Sequence, residues 1–141
     1  MRTPCRWSPA ASLSNIKTAP GGYCDVDFAV SFVCLRHAVA LPPGSNIAEQ
    51  IAALSAAKLI TPEDSRALSE GAAFLRSVDH AVRLVTGRAA PGLPEHVGHA
   101  EAVESLARRW GLISEEGSLA QRLHDTQQQM RHVCRRLVGS E

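Results

Sequence analysis

Asp25-Val26-Asp27-Phe28-Ala29-Val30-Ser31-Phe32-Val33-Cys34-Leu35-Arg36-His37-Ala38-Val39-Ala40 decides the fold, because its apolar residues satisfy two periods at once. Val26, Phe28, Val30 and Phe32 alternate with Asp25, Asp27, Ala29 and Ser31, as in a strand. Phe28, Phe32, Leu35 and Val39 recur at i, i+4, i+7 and i+11, as on a helix. Length favours the helix: the run continues to Pro42-Pro43, well past a strand of about four to eight residues. The choice also fixes the two acids. On a strand Asp25 and Asp27 share a side and can clamp a metal-bound triphosphate. On a helix, residues two apart diverge by about 200° and cannot hold one metal together.

Downstream, the signals are helical throughout. Asn46 with Glu49 forms a capping-box pattern ahead of Ile47, Ile51 and Leu54, which predicts a short helix to about Lys58. Thr61-Pro62-Glu63-Asp64 supplies an N-cap, a proline at the first helical position and acids for the positive end of the dipole. Leu68, Ala72, Leu75, Val78, Val82 and Val85 then run in steps of three and four to Gly87, a left-handed stop. Gly71 within that helix costs up to about 1 kcal/mol against alanine, which points to close packing. Residues 88 to 97 hold Pro91, Gly92 and Pro94 and read as a loop. A fourth helix is expected from about His99 to Gly111. The last runs from Ser118 to Val138 with Leu119, Leu123, Thr126, Met130, Val133 and Leu137 inward, and with Gln127, Gln128, Arg131 and Arg135 toward water. The expectation is an all-α chain: a disordered leader over residues 1 to 15 and one bundle of about five helices, without a sheet, over 16 to 141.

Composition agrees. A chain of 141 residues can bury about two-thirds of its unfolded surface in one core. Aromatics are only 4% of residues, which suits helices packed through small aliphatic side chains. Fifteen basic against fourteen acidic residues give a net charge of +1, too weak a field to argue for nucleic acid or a membrane surface. No apolar run reaches the roughly 18 residues of a membrane span. Cys5, Cys24, Cys34 and Cys134 form no C-x-x-C pair, so reduced thiols and a cytoplasmic location are expected. His96-x-x-His99 and Cys34-x-x-His37 lack a second ligand pair, and no metal site is expected. Arg131, His132, Arg135 and Arg136 give the last helix a basic end that suits its dipole and reads as solvated.

Just before the first helix stands Lys17-Thr18-Ala19-Pro20-Gly21-Gly22-Tyr23-Cys24-Asp25-Val26-Asp27-Phe28. This stretch resembles the K-x-x-x-G-G-x-x-D-I-E-F signature of bacterial glutamine synthetase adenylyltransferases, where a nucleotidyltransferase domain hands over to a helical domain. Phe74-Leu75-Arg76-Ser77-Val78-Asp79-His80-Ala81-Val82-Arg83-Leu84 is similar to that family's F-L-R-x-V-E-H-x-L-Q-x stretch. Leu106-Ala107-Arg108-Arg109-Trp110-Gly111 resembles its L-A-R-x-x-G. The resemblance covers roughly Ile16 to Gly111. Asp27 and Asp79 stand where the family usually has glutamate, and Arg83 where it has glutamine.

The resemblance implies the helical module of such an enzyme, which moves AMP to or from glutamine synthetase only together with a nucleotidyltransferase domain. The metal-binding aspartates are then expected upstream, with no catalytic residue and no bound cofactor in this chain alone; Mg²⁺ and ATP belong to the full enzyme. Implied partners are the nucleotidyltransferase domain, glutamine synthetase and a PII-type signalling protein. Lys17, Gly21, Gly22, Asp25 and Asp27 are the candidate domain-interface or nucleotide-proximal residues, with Asp25 expected as helix cap. Arg76, Asp79 and His80 form a second, charged seam. Two other readings stay open: a stand-alone regulatory or interaction bundle, and a minimal nucleotidyltransferase using Asp25 and Asp27, which requires a strand there.

Overall fold

The computed structural model describes residues 16, 21–88 and 92–139. These hold five helices and no strand: α1 (Tyr23–Arg36), α2 (Ile47–Ala56), α3 (Pro62–Thr86), α4 (Val97–Arg109) and α5 (Leu119–Val138). The expected leader, residues 1 to 15, lies outside the described residues.

The ambiguous stretch is helix α1, but its register differs from expectation at both ends. It starts at Tyr23, with Gly22 as an extended N-cap, so Asp25 is the third helical residue rather than the cap. From there Asp25 reaches back past the N-cap and accepts the Gly21 N–H at 2.8 Å, which ties the entering chain to the first turn. The helix stops at Arg36, short of Ala40. Ala38 adopts φ +52°, and the Val39 N–H bonds back to the Cys34 carbonyl at 2.9 Å while Ala38 N–H bonds to Leu35. That is a Schellman stop built on alanine instead of glycine. Lys58, at φ +60°, closes α2 in the same way through Leu59 N–H to Leu54.

The other starts follow their caps. Asn46, Thr61 and Ser118 accept from the N–H three residues on, and α3 ends at left-handed Gly87. Helix α4 begins at Val97, ahead of the expected His99, because the His96 ring serves as N-cap. Glu104 and Arg108 then hold the turn into α5: Arg108 bonds Glu104 at 2.5 Å and the Gly117 carbonyl at 3.1 Å.

Helices α3 and α5 run antiparallel as a spine, shown by the contacts Asp64 with Arg136, Gly71 with Met130 and Phe74 with Arg122. Around one half pack α1 and α2, burying Val26, Val30, Ile51, Leu54, Leu68 and Met130. Around the other packs α4, burying Leu75, Val78, Val82, Val103, Leu119 and Leu123. A fully buried aliphatic side chain contributes about 1.5–3 kcal/mol, so these two clusters are the main source of stability. Gly71 lets α5 approach α3: a Cβ there would lie 2.3 Å from the Met130 sulfur.

Two solvent-facing expectations on α5 are corrected. Gln127 is 1% exposed, because the chain entering α1 crosses directly over its backbone. Arg136 is not simply solvated; it pairs with Asp64, a buried carboxylate in the first turn of α3.

Candidate functional site

The signature begins inside the bundle. Gly21 is buried at φ +80°, and a Cβ on it would sit 1.8 Å from the Gln127 carbonyl oxygen and 3.0 Å from the Arg131 nitrogen. Only glycine permits both that dihedral and that approach. Gly22 is buried beside it, and Tyr23 N–H bonds the Ile16 carbonyl at 3.2 Å. The glycine pair thus lays the entering chain onto α5 and launches α1. Lys17 lies outside the described residues.

Helical geometry separates the two acids. Asp25 is half-buried on Gly21 N–H, while Asp27 is exposed. They cannot clamp one metal, and the minimal-nucleotidyltransferase alternative, which needs them on a strand, is overturned. Among the described residues no group of three or more His, Cys, Asp or Glu side chains is placed to hold a metal ion.

What the structure brings together is Tyr23 from the signature with Arg76 and Asp79 from the α3 seam. Arg76 Nη2 donates to the Tyr23 hydroxyl, and the guanidinium stands 5.5 Å from the centre of that ring. Asp79 bonds Arg83 Nε at 3.0 Å through Oδ2, so its ion pair is with Arg83 one turn on, not with Arg76. The two departures from the family stretch on α3, aspartate for glutamate and arginine for glutamine, are therefore bonded to each other. Oδ1 of Asp79 is buried and has no hydrogen-bond partner among the described residues. Ile16, Tyr23, Leu75, Arg76 and Asp79 enclose a hollow of about 190 Å³. His80 does not join them; it stacks on Trp110 at 5.8 Å, at the end of α4. Sequence reasoning passed over Tyr23 and Arg83, although both stand within the quoted stretches.

A second groove, about 420 Å³, lies between α1 and the end of α5, lined by Asp25, Phe28, Cys134, Arg135, Val138 and Gly139. Burial, with Asp25 adding a smaller push, raises the Cys134 thiol to about 12, so it stays protonated at neutral pH. On the outer side of α1, Phe28 is 62% and Leu35 83% exposed, with Phe32 stacked on Phe28 at 6.4 Å. These are the large side chains of a stripe one helix turn apart, and most soluble helices do not present such a stripe to water. A further hollow, about 470 Å³ at the α4–α5 turn, holds none of the signature residues. No described helix is long and apolar enough to cross a membrane.

The chain matches the family model described as GlnD PII-uridylyltransferase over residues 6–138. It is 30% identical over 132 residues to a bifunctional glutamine synthetase adenylyltransferase/adenylyl-removing enzyme of Streptomyces avermitilis, covering 83% of this chain. The enzyme of the same name from Streptomyces coelicolor is 31% identical over 125 residues, or 79% of the chain. That of Xanthobacter autotrophicus is 28% identical over 129 residues, or 88%. The chain spans only 12 to 13% of the length of these relatives. No solved structure matches it significantly. With helical signature, all-α bundle and family match in agreement, the chain belongs to the GlnD PII-uridylyltransferase family and is related to the bifunctional glutamine synthetase adenylyltransferases.

Proposed function

We propose that this chain is the helical module of a glutamine synthetase adenylyltransferase, acting on glutamine synthetase by AMP transfer or removal only together with a nucleotidyltransferase domain. The observation that carries this is the family match over residues 6–138 on a bundle whose signature acids stand on a helix. A helical Asp25-Val26-Asp27 has no means of holding the metal that phosphoryl chemistry uses, so Mg²⁺ and ATP are assigned to the partner domain. The exposed pair Phe28 and Leu35, with half-buried Phe32 between them, offers that domain an apolar docking face beside the signature.

Calorimetric titration of the chain with a separately expressed nucleotidyltransferase domain of the family tests this. Binding is expected, and Leu35→Asp should weaken it at least tenfold with an unchanged melting temperature, since an interface anchor is worth about 1–2 kcal/mol or more. Absence of binding by the wild-type chain would overturn the reading. The same stripe also favours a second reading, a stand-alone bundle that binds glutamine synthetase or a PII-type signalling protein. Direct binding to either of these without a nucleotidyltransferase domain would decide for it.

A further inference from the structure

We propose that α1 pairs with α1 of a second copy of this chain, antiparallel and across a two-fold axis at Ser31, whenever no other domain covers that face. Phe28 and Leu35 are 62% and 83% exposed and stand seven residues apart, two turns along one stripe. Their midpoint falls between Ser31 and Phe32. A two-fold axis there sets Phe28 of each copy against Leu35 of the other, so that one contact is made twice. Ser31, the exposed residue between them, is small enough to let the two helices approach to the usual separation of about 8–10 Å.

Charge selects the antiparallel sense. The first turn of α1 carries Asp25, with exposed Asp27 just beyond it, and the last turn carries Arg36. Antiparallel pairing lays the basic last turn of one copy beside the acidic first turn of the other and opposes the two helix dipoles. Parallel pairing would set acid on acid. Shape agrees. At about 100° per residue, Leu35, Phe28, Asp25 and Arg36 follow one another around the helix toward α5. On that side Phe28 and half-buried Val138 wall the open groove of about 420 Å³, with Asp25 at its edge. The two-fold brings Leu35 of the second copy to this groove and its Arg36 to Asp25. An interface with two apolar anchors per copy is small, so the dimer is weak and forms as concentration rises. In a melt run well below its dissociation constant the chain is monomeric, and Leu35→Asp leaves the melting temperature unchanged there.

The pairing goes beyond the docking role proposed above and is measured on the chain by itself, so either can fail while the other stands. Sedimentation of the chain from about 5 μM to about 0.5 mM is the experiment, and a shift from monomer to dimer across that range is expected. Leu35→Asp should weaken association at least tenfold, and Arg36→Glu severalfold. Leu84→Asp, at another exposed leucine on α3, should leave it unchanged. Ser31→Cys reads the register, because the two-fold sets position 31 of the two copies side by side. Mild oxidation should link the copies there, with at least a fivefold lower yield when Leu35→Asp is added. The exposed native Cys24 serves as the control: its two copies stand about 22 Å apart along the helix axis and should not link. A chain that stays monomeric at about 0.5 mM would overturn the proposal. So would association that Leu35→Asp leaves intact, linkage through Cys24 in preference to position 31, or growth beyond a dimer.

Discussion

Gly21 shows how one residue fixes the entry to the bundle. Its φ of +80° and the 1.8 Å approach of a would-be Cβ to the Gln127 carbonyl are separate penalties. Gly44 separates them, having φ +81° but nothing within 4 Å. Gly44→Ala should therefore cost about 1 kcal/mol from backbone strain alone. Gly21→Ala should cost about 3 kcal/mol or more, because overpacking is added. Denaturant melts of the two variants check this, and equal losses would mean that the chain can move off α5. Ala38 runs the other way: it occupies the left-handed C′ position that glycine favours. Ala38→Gly should stabilise by about 0.5 kcal/mol.

Cys134 gives a pH dependence. Burial first, then the Asp25 charge, raises its thiol to about 12 from an ordinary 9.0, and burial raises Cys34 as well. The folded state holds these protons more tightly than the unfolded state. Stability from the neutral thiols is thus full below about pH 9 and declines as pH rises toward 12. Cys134→Ala should flatten that decline. At pH 8, iodoacetamide followed by mass spectrometry should label exposed Cys24 and spare Cys34 and Cys134 until the chain is unfolded.

At the scale of elements, caps and periodicity were legible and flanks were not. The α3 limits, Thr61 to Gly87, could be read directly, because an N-cap, a proline and a left-handed glycine each impose a local geometry. The early stop of α1 was hidden because alanine at 38 carries no stop signal of its own. The burial of Gln127 was hidden because the 4-3-4-3-4 pattern of α5 describes one facing helix, whereas α5 is flanked by α1 as well as α3. Long-range pairs were equally invisible: nothing near Arg136 in sequence names Asp64. Arg136 is about half exposed, so Arg136→Gln should cost only about 1–2 kcal/mol, chiefly by leaving the buried Asp64 carboxylate unpaired. The exposed Arg66 and Glu70 pair on the same helix should give no measurable change when Arg66 is replaced by glutamine. Thermal melts of both variants compare a buried anchor with a solvated pair.

Over the whole molecule, two apolar clusters share the α3 and α5 spine, and two of the three stretches that carry the family resemblance meet where α1 joins it. The family and the all-helical class could be read from those stretches; the meeting of Tyr23 with Arg76 and Asp79 could not, since it spans 53 residues of sequence. In the role proposed for it, this bundle contributes to AMP transfer without performing it. Transfer of label from α-labelled ATP to glutamine synthetase, in the presence of Mg²⁺, is the decisive measurement. The chain alone should give background, and adding a nucleotidyltransferase domain of the family should raise transfer above what that domain gives by itself. Transfer by the chain alone that disappears in Asp25→Asn would contradict the account.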